Sequence, residues 1–561
     1  MQEDLRPEME RVKEDSRYLR GTIKEELNAD TSHFSRDSTH LLKAHGVYQQ
    51  DDRDVRIKRR KEGLEPLYFM MVRSKIPGGR LTAEQYLVHD ELADRYGNRT
   101  LRITTRQGFQ FYSVFKKNLK AVIRGINGKL GTTLGACGDN VRNVLGCPAP
   151  SSDRLKLQIY EYAKAVSDQF LAKTGAYHEI WLNGEKVEDN SKKKPEEVEP
   201  IYGKAYLPRK FKLALAFPED NCVDVYTNDI GIVPEVKGDR LNGFNILVGG
   251  GLGMSHGAKD TFPRLADPFC FVQPSELLDI TKAIVLVQRD YGDRKSRKHA
   301  RMKYLIHDRG LDWFRGEVEK RFGKKTEPCH EISWKGFEDH LGWNEQGDGL
   351  WYFGISVENG RIKDEGSLRL KSGLKAIVKQ FKTNVYLTAT HDVLISDIKS
   401  NEKSEFENLL AAYGIPHPDK LSMIQKNSMA CPALPTCGLA ITESERTLPA
   451  LVDQLEKILN ELGLGSERIT LRMTGCPNGC ARPYSSEIGL VGRAVGTYNI
   501  YLGGNLDGTR LNQLFAEHVP EGNILSTLQS VFKQFKLNRK PGEAFGNFCY
   551  RIGMGELRQL K

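Results

Sequence analysis

The sequence lacks long apolar stretches, and no run of about eighteen consecutive apolar residues occurs in its 561 residues. A membrane-spanning helix needs such a run, so this pattern argues against one. The first six residues, MQEDLR, alternate in charge and contain no apolar core, so we expect no signal peptide. We therefore expect a cytoplasmic protein with no membrane association.

Cysteine is also scarce, because ten cysteines in a chain of this length are too few for a disulfide scaffold. The charge is close to balanced, with 83 Lys and Arg against 73 Asp and Glu, a formal net charge of +10. With 39% hydrophobic and 28% charged residues, the composition is that of a folded globular protein and excludes disordered, collagen-like and coiled-coil chains. The length indicates three or four domains.

Four of the cysteines are grouped in the sequence, as a C-x5-C pair and a C-x3-C pair. They are Cys431, Cys437, Cys476 and Cys480. Four thiolates in two local pairs can hold one tetrahedral zinc ion or one cubane iron–sulfur cluster. Because 38 residues separate the pairs, more than in small zinc knuckles, the spacing favours the cluster. Zinc is the first alternative and unligated cysteines are the second.

The residues around the cysteine pairs indicate how the pairs are brought together. Pro477, Asn478 and Gly479 predict a tight loop whose backbone N–H groups point at sulfur. Apolar residues recur at helical spacing over 448–462 and Gly463 follows them, which predicts an amphipathic helix between the pairs. We expect this helix to form core without touching a cofactor.

Two pairs of similar strings indicate an internal repeat. LRITTR at 101–106 is similar to VYLTAT at 385–390, and FNILVGG at 244–250 is similar to YNIYLGG at 498–504. The matches occur in the same order, roughly 250–280 residues apart. They predict a duplicated module related by a pseudo-twofold axis, with a ligand at its junction. Chance recurrence of strand-plus-glycine strings is the alternative.

The hydrophobic pattern predicts mixed α and β structure. Strands are expected at 68–72, 101–111, 211–217 and 244–248, and helices at 83–96 and 153–173. Ser275 is expected to cap a further helix that ends near Tyr291. The charged segment 185–200 is expected to be a surface loop.

Two segments that contain the cysteine pairs carry a family resemblance. NSMACPALPTC at 427–437 and TGCPNGCARP at 474–483 resemble the signature segments of the sulfite reductase hemoproteins, in the family of siroheme-containing sulfite and nitrite reductases. The resemblance extends over nearly the whole chain, from YLRGT at 18–22 to GEAFGNF at 542–548.

The resemblance implies an α+β fold of three units with an internal pseudo-twofold repeat. It implies an N-terminal arm over 1–66 that wraps the surface. The three units that follow are the ferredoxin-like repeat halves at 67–134 and 336–410, a first siroheme- and anion-binding α+β domain at 135–335, and a second α+β domain at 411–561 that carries the cluster.

The resemblance also implies the cofactors and the residues that bind them. A 4Fe–4S cluster would be held by Cys431, Cys437, Cys476 and Cys480, and the sulfur of Cys480 would also ligate the iron of a siroheme. The residues implied to bind sulfite and supply protons are Arg73, Arg142, Lys210 and Lys212. The residues implied to contact siroheme are Arg102, Thr104, Arg106, Gln110, Arg209, Asn478 and Cys480.

Elementary chemistry agrees with a cationic site of this kind. Siroheme carries eight carboxylates and sulfite is an anion, so their site needs convergent positive charge. Strand alternation places Lys210 and Lys212 on the same face. Reduction of sulfite to sulfide takes six electrons, which amino-acid side chains alone cannot supply.

The expected function is that of an assimilatory sulfite reductase. The glycines at 249–253 are followed by Met254 and do not complete a dinucleotide fingerprint, so we expect electrons from a partner protein. The amino-acid sequence of the motifs favours a ferredoxin over a flavoprotein reductase as the electron donor, and an acidic ferredoxin would suit the positive net charge. The alternatives are a siroheme nitrite reductase and, in a different class, a basic nucleic-acid-binding protein with a structural metal site.

Two features stand apart from this interpretation. Thr390, His391 and Asp392, with Tyr386, depart from the family pattern, so siroheme contacts from that strand are not expected and His391 is interpreted as a surface or packing residue. Cys147 has no second cysteine at ligand spacing and is expected to be an unligated thiol.

Overall fold

The computed structural model of the protein describes residues 6–182 and 199–559, so the surface loop expected at 185–200 falls almost entirely outside the described residues. The helices are α1 (Glu8–Asp15), α2 (Ile23–Asn28), α3 (Arg36–Leu42), α4 (Arg53–Lys61), α5 (Ala83–Tyr96), α6 (Leu119–Asn127), α7 (Arg154–Gln169), α8 (Leu277–Tyr291), α9 (Met302–Arg309), α10 (Leu311–Phe322), α11 (Leu370–Phe381), α12 (Lys403–Ala412), α13 (Met423–Lys426), α14 (Leu448–Glu461), α15 (Ile524–Asn538), α16 (Phe545–Ile552) and α17 (Met554–Gln559).

The strands alternate with these helices along the chain. They are β1 (Val47–Asp51), β2 (Tyr68–Arg73), β3 (Arg80–Leu81), β4 (Leu101–Ile103), β5 (Phe109–Val114), β6 (Leu213–Leu215), β7 (Ile230–Lys237), β8 (Arg240–Val248), β9 (Asp267–Val272), β10 (Gly342–Glu345), β11 (Leu350–Ile355), β12 (Arg361–Ile362), β13 (Asp364–Glu365), β14 (Leu368–Arg369), β15 (Val385–Leu387), β16 (Val393–Lys399), β17 (Ser428–Ala430), β18 (Leu471–Thr474), β19 (Ile488–Ala494), β20 (Thr497–Leu502) and β21 (Gln513–Pro520).

Two five-stranded sheets confirm the predicted α+β fold with an internal repeat. Their strand orders are β1-β2-β5-β4-β12 and β10-β11-β16-β15-β3. Each sheet ends in a two-residue strand that comes from the other half of the chain. Arg361 of β12 lies opposite Arg102, and Arg80 of β3 lies opposite Tyr386. The exchange ties the two halves together across a pseudo-twofold axis.

Two glycines permit this exchange. Gly79 precedes β3 with φ of 76°, and Gly360 precedes β12 with φ of 72°. A Cβ atom on Gly79 would strike the Leu387 carbonyl oxygen, and one on Gly360 would strike that of Ile103. The chain turns tightly at both positions, and only a residue without a side chain fits there.

Two further sheets form a second repeated module, apart from the small two-stranded sheet of β13 and β14. Their orders are β6-β7-β8-β9 and β17-β18-β19-β20-β21. In each, a parallel pair is followed by antiparallel strands and then by a long helix, α8 or α15. Leu213 lies opposite Ile230, as Leu471 lies opposite Ile488.

The glycine loops after β8 and β20 interlock these modules. The Met254 N–H donates to the Pro477 carbonyl at 3.0 Å. The Asn221 side chain donates to the Asp507 carbonyl at 2.7 Å. The loop after β8 therefore lies against the loop after β18, and the loop after β20 lies against the loop after β6. These contacts place the junction between the modules beside the second cysteine pair.

The N-terminal arm differs from the expected surface wrap. Its β1 pairs with β2 along the edge of the first sheet. Leu19, Ile23 and Leu42 are buried in the main core. The sequence did not indicate that these residues belong to the core, because charged residues surround each of these isolated apolar positions.

Several predicted elements are refined by the structure. The run expected as one strand at 101–111 is split, because Thr104 N donates to the Gly108 carbonyl at 2.9 Å and closes a turn. Arg106 therefore lies in a turn rather than on a strand. Ser275 is not a cap, since Gln273 and Glu276 form a capping box and α8 begins at Leu277.

The helix predicted between the cysteine pairs is confirmed as α14. Leu451, Leu455 and Leu459 on its inner face are buried. Gly463 follows the helix with φ of 68°. Across residues 6–182 and 199–559, no helix has the combined length and apolar character required to cross a bilayer.

We predict that the Glu445→Ala variant is strongly destabilised. The Glu445 carboxylate lies 2.7 Å from Arg361 Nε and 3.2 Å from Arg102 Nε, joining the exchanged strand β12 and its neighbour β4 to the cysteine-bearing module. Removing this carboxylate from the buried Arg102 and the partly buried Arg361 should cost about 3–5 kcal/mol of unfolding free energy. Denaturant unfolding should show this loss, and Glu461→Ala, on an exposed position of α14, should unfold like the parent. An equal midpoint for both variants would contradict the role of the ion pair.

Candidate functional site

The four grouped cysteines lie at the ends of two neighbouring parallel strands. Cys431 follows β17, and Cys476 follows β18 after a single glycine. Parallel neighbours end at the same edge of a sheet, so the loops that carry Cys437 and Cys480 also start there. Burial and the proximity of the Cys480 thiol raise the pKa values of Cys431, Cys437 and Cys476, with that of Cys476 at about 12.

The loops place hydrogen-bond donors toward this sulfur group. Gly475 N lies 3.4 Å from Cys431 Sγ, and Asn478 Nδ2 lies 3.6 Å from Cys476 Sγ. Gly479, with φ of 63°, turns the second loop sharply. Four thiols in two loops, with N–H groups directed at sulfur, form a donor set that fits a four-iron cluster.

The N-terminal arm secures the first cysteine loop. Arg53, the first residue of α4, donates from Nη1 to the carbonyl oxygens of Cys437 at 3.0 Å and Ala440 at 2.6 Å. Its backbone N–H donates to the Pro435 carbonyl at 3.3 Å. The arm therefore fixes the loop that carries two of the four thiols.

Cys480 connects the thiol group to a set of cations. It is the exposed member of the quartet. Burial is the largest influence on the pKa values of Arg73, Lys210 and Lys212, and a negative charge on the Cys480 sulfur partly opposes it, so these side chains lie within electrostatic reach of that sulfur. Arg142 and Arg209 lie close enough to lower the pKa of Lys210. The structure thus brings together the cations that the sequence suggested.

The lysine pair lies in an environment that penalises positive charge. Burial, together with Arg209 and Arg142, lowers the pKa of Lys210 to about 7. Burial, together with Arg106 and Lys210, lowers the pKa of Lys212 well below its usual value. Arg73 Nε and Arg106 Nε are buried without a hydrogen-bond partner. Convergent cations with unmet donors fit a polyanionic group and a small anion.

Arg301 and Lys303 belong to the same region and were missed by the sequence analysis. Arg301 Nη2 lies 2.7 Å from the carboxylate of the fully buried Asp229, which also accepts the backbone N–H of Lys212 at 2.8 Å. Lys303 Nζ donates to the carbonyl oxygens of Gly251 and Gly253, each at 2.9 Å. These contacts join residues far apart in the chain, and no local motif signals them.

The four buried residues predicted to contact siroheme are held by protein partners. Arg102 donates to the Ala430 carbonyl at 2.7 Å, and Arg106 donates to the Leu213 carbonyl at 2.9 Å. Thr104 Oγ1 accepts the N–H groups of Arg106 and Gly108, each at 3.2 Å. Gln110 accepts from the Tyr112 hydroxyl at 3.0 Å. The other members of the set, Arg209, Asn478 and Cys480, are partly or fully exposed.

The departing segment of the second repeat folds like its counterpart. Thr388 N donates to the Asp392 carbonyl at 3.0 Å, repeating the turn of the first half. His391, expected on the surface or in packing, is buried with 1% exposure, and both of its ring nitrogens lack a partner. Burial and the nearby Arg102 and Arg482 lower its pKa well below the usual range. The sequence could not show that its neighbours are arginines.

Comparison with known proteins gives matches over most of the chain. The family described as the nitrite and sulphite reductase 4Fe-4S domain matches residues 137–326 and 425–560, and the nitrite/sulfite reductase ferredoxin-like half domain matches 62–128 and 344–413. The sulfite reductase (ferredoxin) of Synechococcus elongatus is 45% identical over 98% of this chain and 90% of its own. The sulfite reductase (NADPH) hemoprotein beta-component of Geobacillus thermodenitrificans is 46% identical over 98% and 96%.

A solved structure is similar over nearly the same span. The NirA protein of Mycobacterium tuberculosis superposes with a TM-score of 0.79 at 23% identity, covering 98% of this chain and 97% of its own. This likeness concerns the fold alone.

We predict that Gly475→Ala prevents cluster assembly. A Cβ atom there would strike the Thr442 carbonyl oxygen and lie 2.7 Å from Ala433 Cβ, forcing the two cysteine loops apart. Acid-labile sulfide and iron per chain should fall sharply in the purified variant. Gly438→Ala is the matched control, because Gly438 lies beside Cys437 and has nothing within 4 Å of a built Cβ. Normal sulfide content in the Gly475 variant would show that the loops tolerate separation.

Proposed function

Because the chain belongs to the nitrite and sulfite reductase family, we propose that it is an assimilatory sulfite reductase that reduces sulfite to sulfide with six electrons. The observation that carries this proposal is the position of Cys480. Its exposed thiol belongs to the four-thiol group and also lies within electrostatic reach of Arg73, Lys210 and Lys212. One sulfur thus stands between a cluster-binding pocket and an anion-binding pocket.

The proposed cofactors are a 4Fe–4S cluster on Cys431, Cys437, Cys476 and Cys480, and a siroheme whose iron takes the Cys480 sulfur. Together these groups supply electron transfer at the substrate, which side chains cannot provide. The N–H donors of the second cysteine loop stabilise negative charge on sulfur, which is one of the ways a protein tunes the potential of such a cluster.

Siroheme binding is proposed to use two kinds of residue. Arg209 and Asn478 are exposed enough to contact the macrocycle directly. Arg102, Thr104, Arg106 and Gln110 are buried and form the floor of the site through their own hydrogen bonds. Because siroheme carries eight carboxylates, its binding offsets the repulsion among the cations gathered here.

Arg73, Arg142, Lys210 and Lys212 are proposed to bind the oxygens of sulfite and to supply protons. Each oxygen lost from sulfite leaves as water and requires protons. Lys210, whose pKa is lowered to about 7, can donate a proton near neutral pH. Siroheme carboxylates nearby would raise that pKa and keep the ammonium group charged until it reacts.

The proposed electron donor is a ferredoxin. The net charge of +10 suits an acidic partner, since complementary charge accelerates encounter. The similar proteins include one named for ferredoxin and one named for NADPH, so a direct comparison is required. Turnover with reduced ferredoxin should exceed turnover with an NADPH-dependent flavoprotein reductase at equal donor concentration. The reverse order would overturn the choice of donor.

We predict that Cys480→Ser abolishes sulfite reduction and alters both cofactors. Serine is a poor ligand for either iron, so the haem absorption bands should shift or disappear and acid-labile sulfide should fall. Cys329→Ser is the control, because Cys329 lies in another unit and donates to Asn245 Oδ1 at 3.2 Å. Sulfide production by the Cys480 variant at the parent rate would remove the basis of the proposal.

We predict that Lys210→Gln lowers kcat/KM for sulfite about tenfold or more. The substitution removes a charge-assisted hydrogen bond worth about 1.5–3 kcal/mol. Lys210→Arg should retain part of the activity, and its activity should fall at a higher pH than that of the parent. The reason is that the Lys210 ammonium group of the parent is deprotonated as pH rises, whereas the guanidinium group of the variant is not. Lys204→Gln, at an exposed nearby position, should match the parent.

Steady-state kinetics of the parent enzyme with sulfite and with nitrite tests the choice of substrate. A much larger kcat/KM for nitrite would assign the enzyme to nitrite reduction.

A further inference from the structure

A second group of metal-ligand side chains lies in the first module, apart from the cysteine quartet. The ligand atoms of Cys147, Asp220, Cys222 and His340 all lie within 4.8 Å of one another. Asp220 Oδ2 is 3.2 Å from Cys147 Sγ and 3.0 Å from His340 Nε2. Cys147 Sγ is 3.8 Å from the same imidazole nitrogen. Four potential ligands therefore surround one small volume.

The repeat relates this group to the cluster pocket. Cys222 lies nine residues after Leu213, the first residue of β6, and Cys480 lies nine residues after Leu471, the first residue of β18. The two strands have the same register with their parallel neighbours. Cys222 therefore occupies the position in the first module that corresponds to Cys480 in the second.

The other thiol of the group follows the same relation. Leu145 lies opposite Ala214, the second residue of β6, as Met429 lies opposite Arg472, the second residue of β18. Two residues further along each chain segment stands a cysteine, Cys147 in the first module and Cys431 in the second.

The first module keeps only two of the four thiols. Pro218 occupies the position that corresponds to Cys476, five residues after the first residue of its strand. A four-iron cluster takes four thiolates, so this pocket does not provide its ligands. Asp220 and His340 complete a set of four around the two remaining thiols, which suits a single ion.

We propose that Cys147, Asp220, Cys222 and His340 bind one structural Zn²⁺ ion. Two thiolates, an imidazole and a carboxylate are the ligand types that zinc takes in tetrahedral sites. With Zn–S near 2.3 Å and Zn–N or Zn–O near 2.0–2.1 Å, neighbouring ligand atoms lie roughly 3.3–3.8 Å apart. The three separations in the structure, from 3.0 to 3.8 Å, need only small adjustments to meet these values.

The surroundings orient the ligands and exclude water. Asp220 Oδ1 accepts the N–H groups of Cys222 and Glu338, each at 3.0 Å, which leaves Oδ2 directed at the group. Outer hydrogen bonds of this kind fix metal ligands in place. Apolar side chains, including Ala216 and Val223, form the cluster that contains both thiols.

The ion would fasten an irregular segment to the first module. Residues 328–341 form neither helix nor strand. Lys335 N donates to the Pro218 carbonyl at 2.9 Å, and Asn221 N donates to the Gly336 carbonyl at 3.1 Å. Zinc would add a cross-link between positions 193 residues apart, from Cys147 to His340. With four protein ligands and no open position, the site would be structural.

The sequence did not reveal this site, because its ligands come from three distant segments. Cys147 was expected to be an unligated thiol for lack of a cysteine nearby, and the proposed ligation replaces that expectation. The site shares no residue with the proposed sulfite and siroheme pocket, so zinc binding and sulfite reduction can each fail without the other.

The first test is the metal content and zinc environment of the untagged holoenzyme. After dialysis against buffered Zn²⁺, elemental analysis should give about one zinc ion per chain in addition to iron. X-ray absorption at the zinc edge should show two sulfur ligands at about 2.3 Å and two nitrogen or oxygen ligands at about 2.0–2.2 Å. Zinc below about a tenth of an ion per chain under these conditions would overturn the proposal, as would a Cys147–Cys222 disulfide in the freshly isolated protein.

The second test uses variants of the ligands. Cys222→Ser and His340→Ala should lower zinc affinity at least about tenfold while iron and haem absorption are retained. Asp220→Asn keeps the side-chain volume and should also weaken zinc binding. It provides the test if the thiol variant does not fold. Cys329→Ser, a half-buried cysteine outside the group, should bind zinc like the parent. Undiminished zinc in all three ligand variants would place the metal elsewhere.

Discussion

The buried carboxylate of Asp224 joins the two modules at the centre of the molecule. Its Oδ2 lies 2.6 Å from Arg472 Nη1 and 3.1 Å from Arg482 Nε, and all three side chains are nearly inaccessible to solvent. Asp224 belongs to the first module and both arginines to the second, so the ion triad links the loop that follows β6 to β18 and to the loop that carries Cys480. A buried charge group of this kind requires all its members, because a lone guanidinium has no water to solvate it. Arg482 lies two residues after Cys480, so this contact also anchors the loop that carries the cysteine.

Around that centre, the site is defined by an excess of positive charge. Lys210 and Lys212 share their surroundings with Arg106, Arg142 and Arg209, and burial makes each charge more costly. At an effective dielectric constant near 20, a close pair of like charges repels by about 4 kcal/mol. The folded chain maintains this arrangement through anchors such as Asp229 on Arg301. A polyanionic cofactor and an anionic substrate would relieve the remaining repulsion, so the stability of the site and its ligand preference have the same physical origin.

Local patterns in the sequence were sufficient for part of this arrangement. The helix at 83–96 and the helix between the cysteine pairs follow from apolar spacing with clear end signals, and the two repeated strings correctly indicated the duplication. The cysteine quartet was recognisable because each pair is local. The contacts of Arg301, His391 and the N-terminal arm were not predictable, since each depends on a partner far away in the chain. The turn at Thr104 was missed because a short polar turn between two strands does not interrupt the apolar alternation.

The duplicated fold constrains backbone shape more strongly than chemistry. Asp224 and Arg482 occupy equivalent positions, eleven residues after Leu213 and Leu471, and both have left-handed backbone conformations with φ of 50° and 58°. Their charges are nevertheless opposite, which converts a symmetric position into an ion pair across the axis. The two cysteine pockets differ in the same way, because the first module has two thiols in the region where the second module has four. A repeat of this kind lets one pocket bind a cluster while its counterpart takes a different ligand set, since the strand ends position the side chains in both cases.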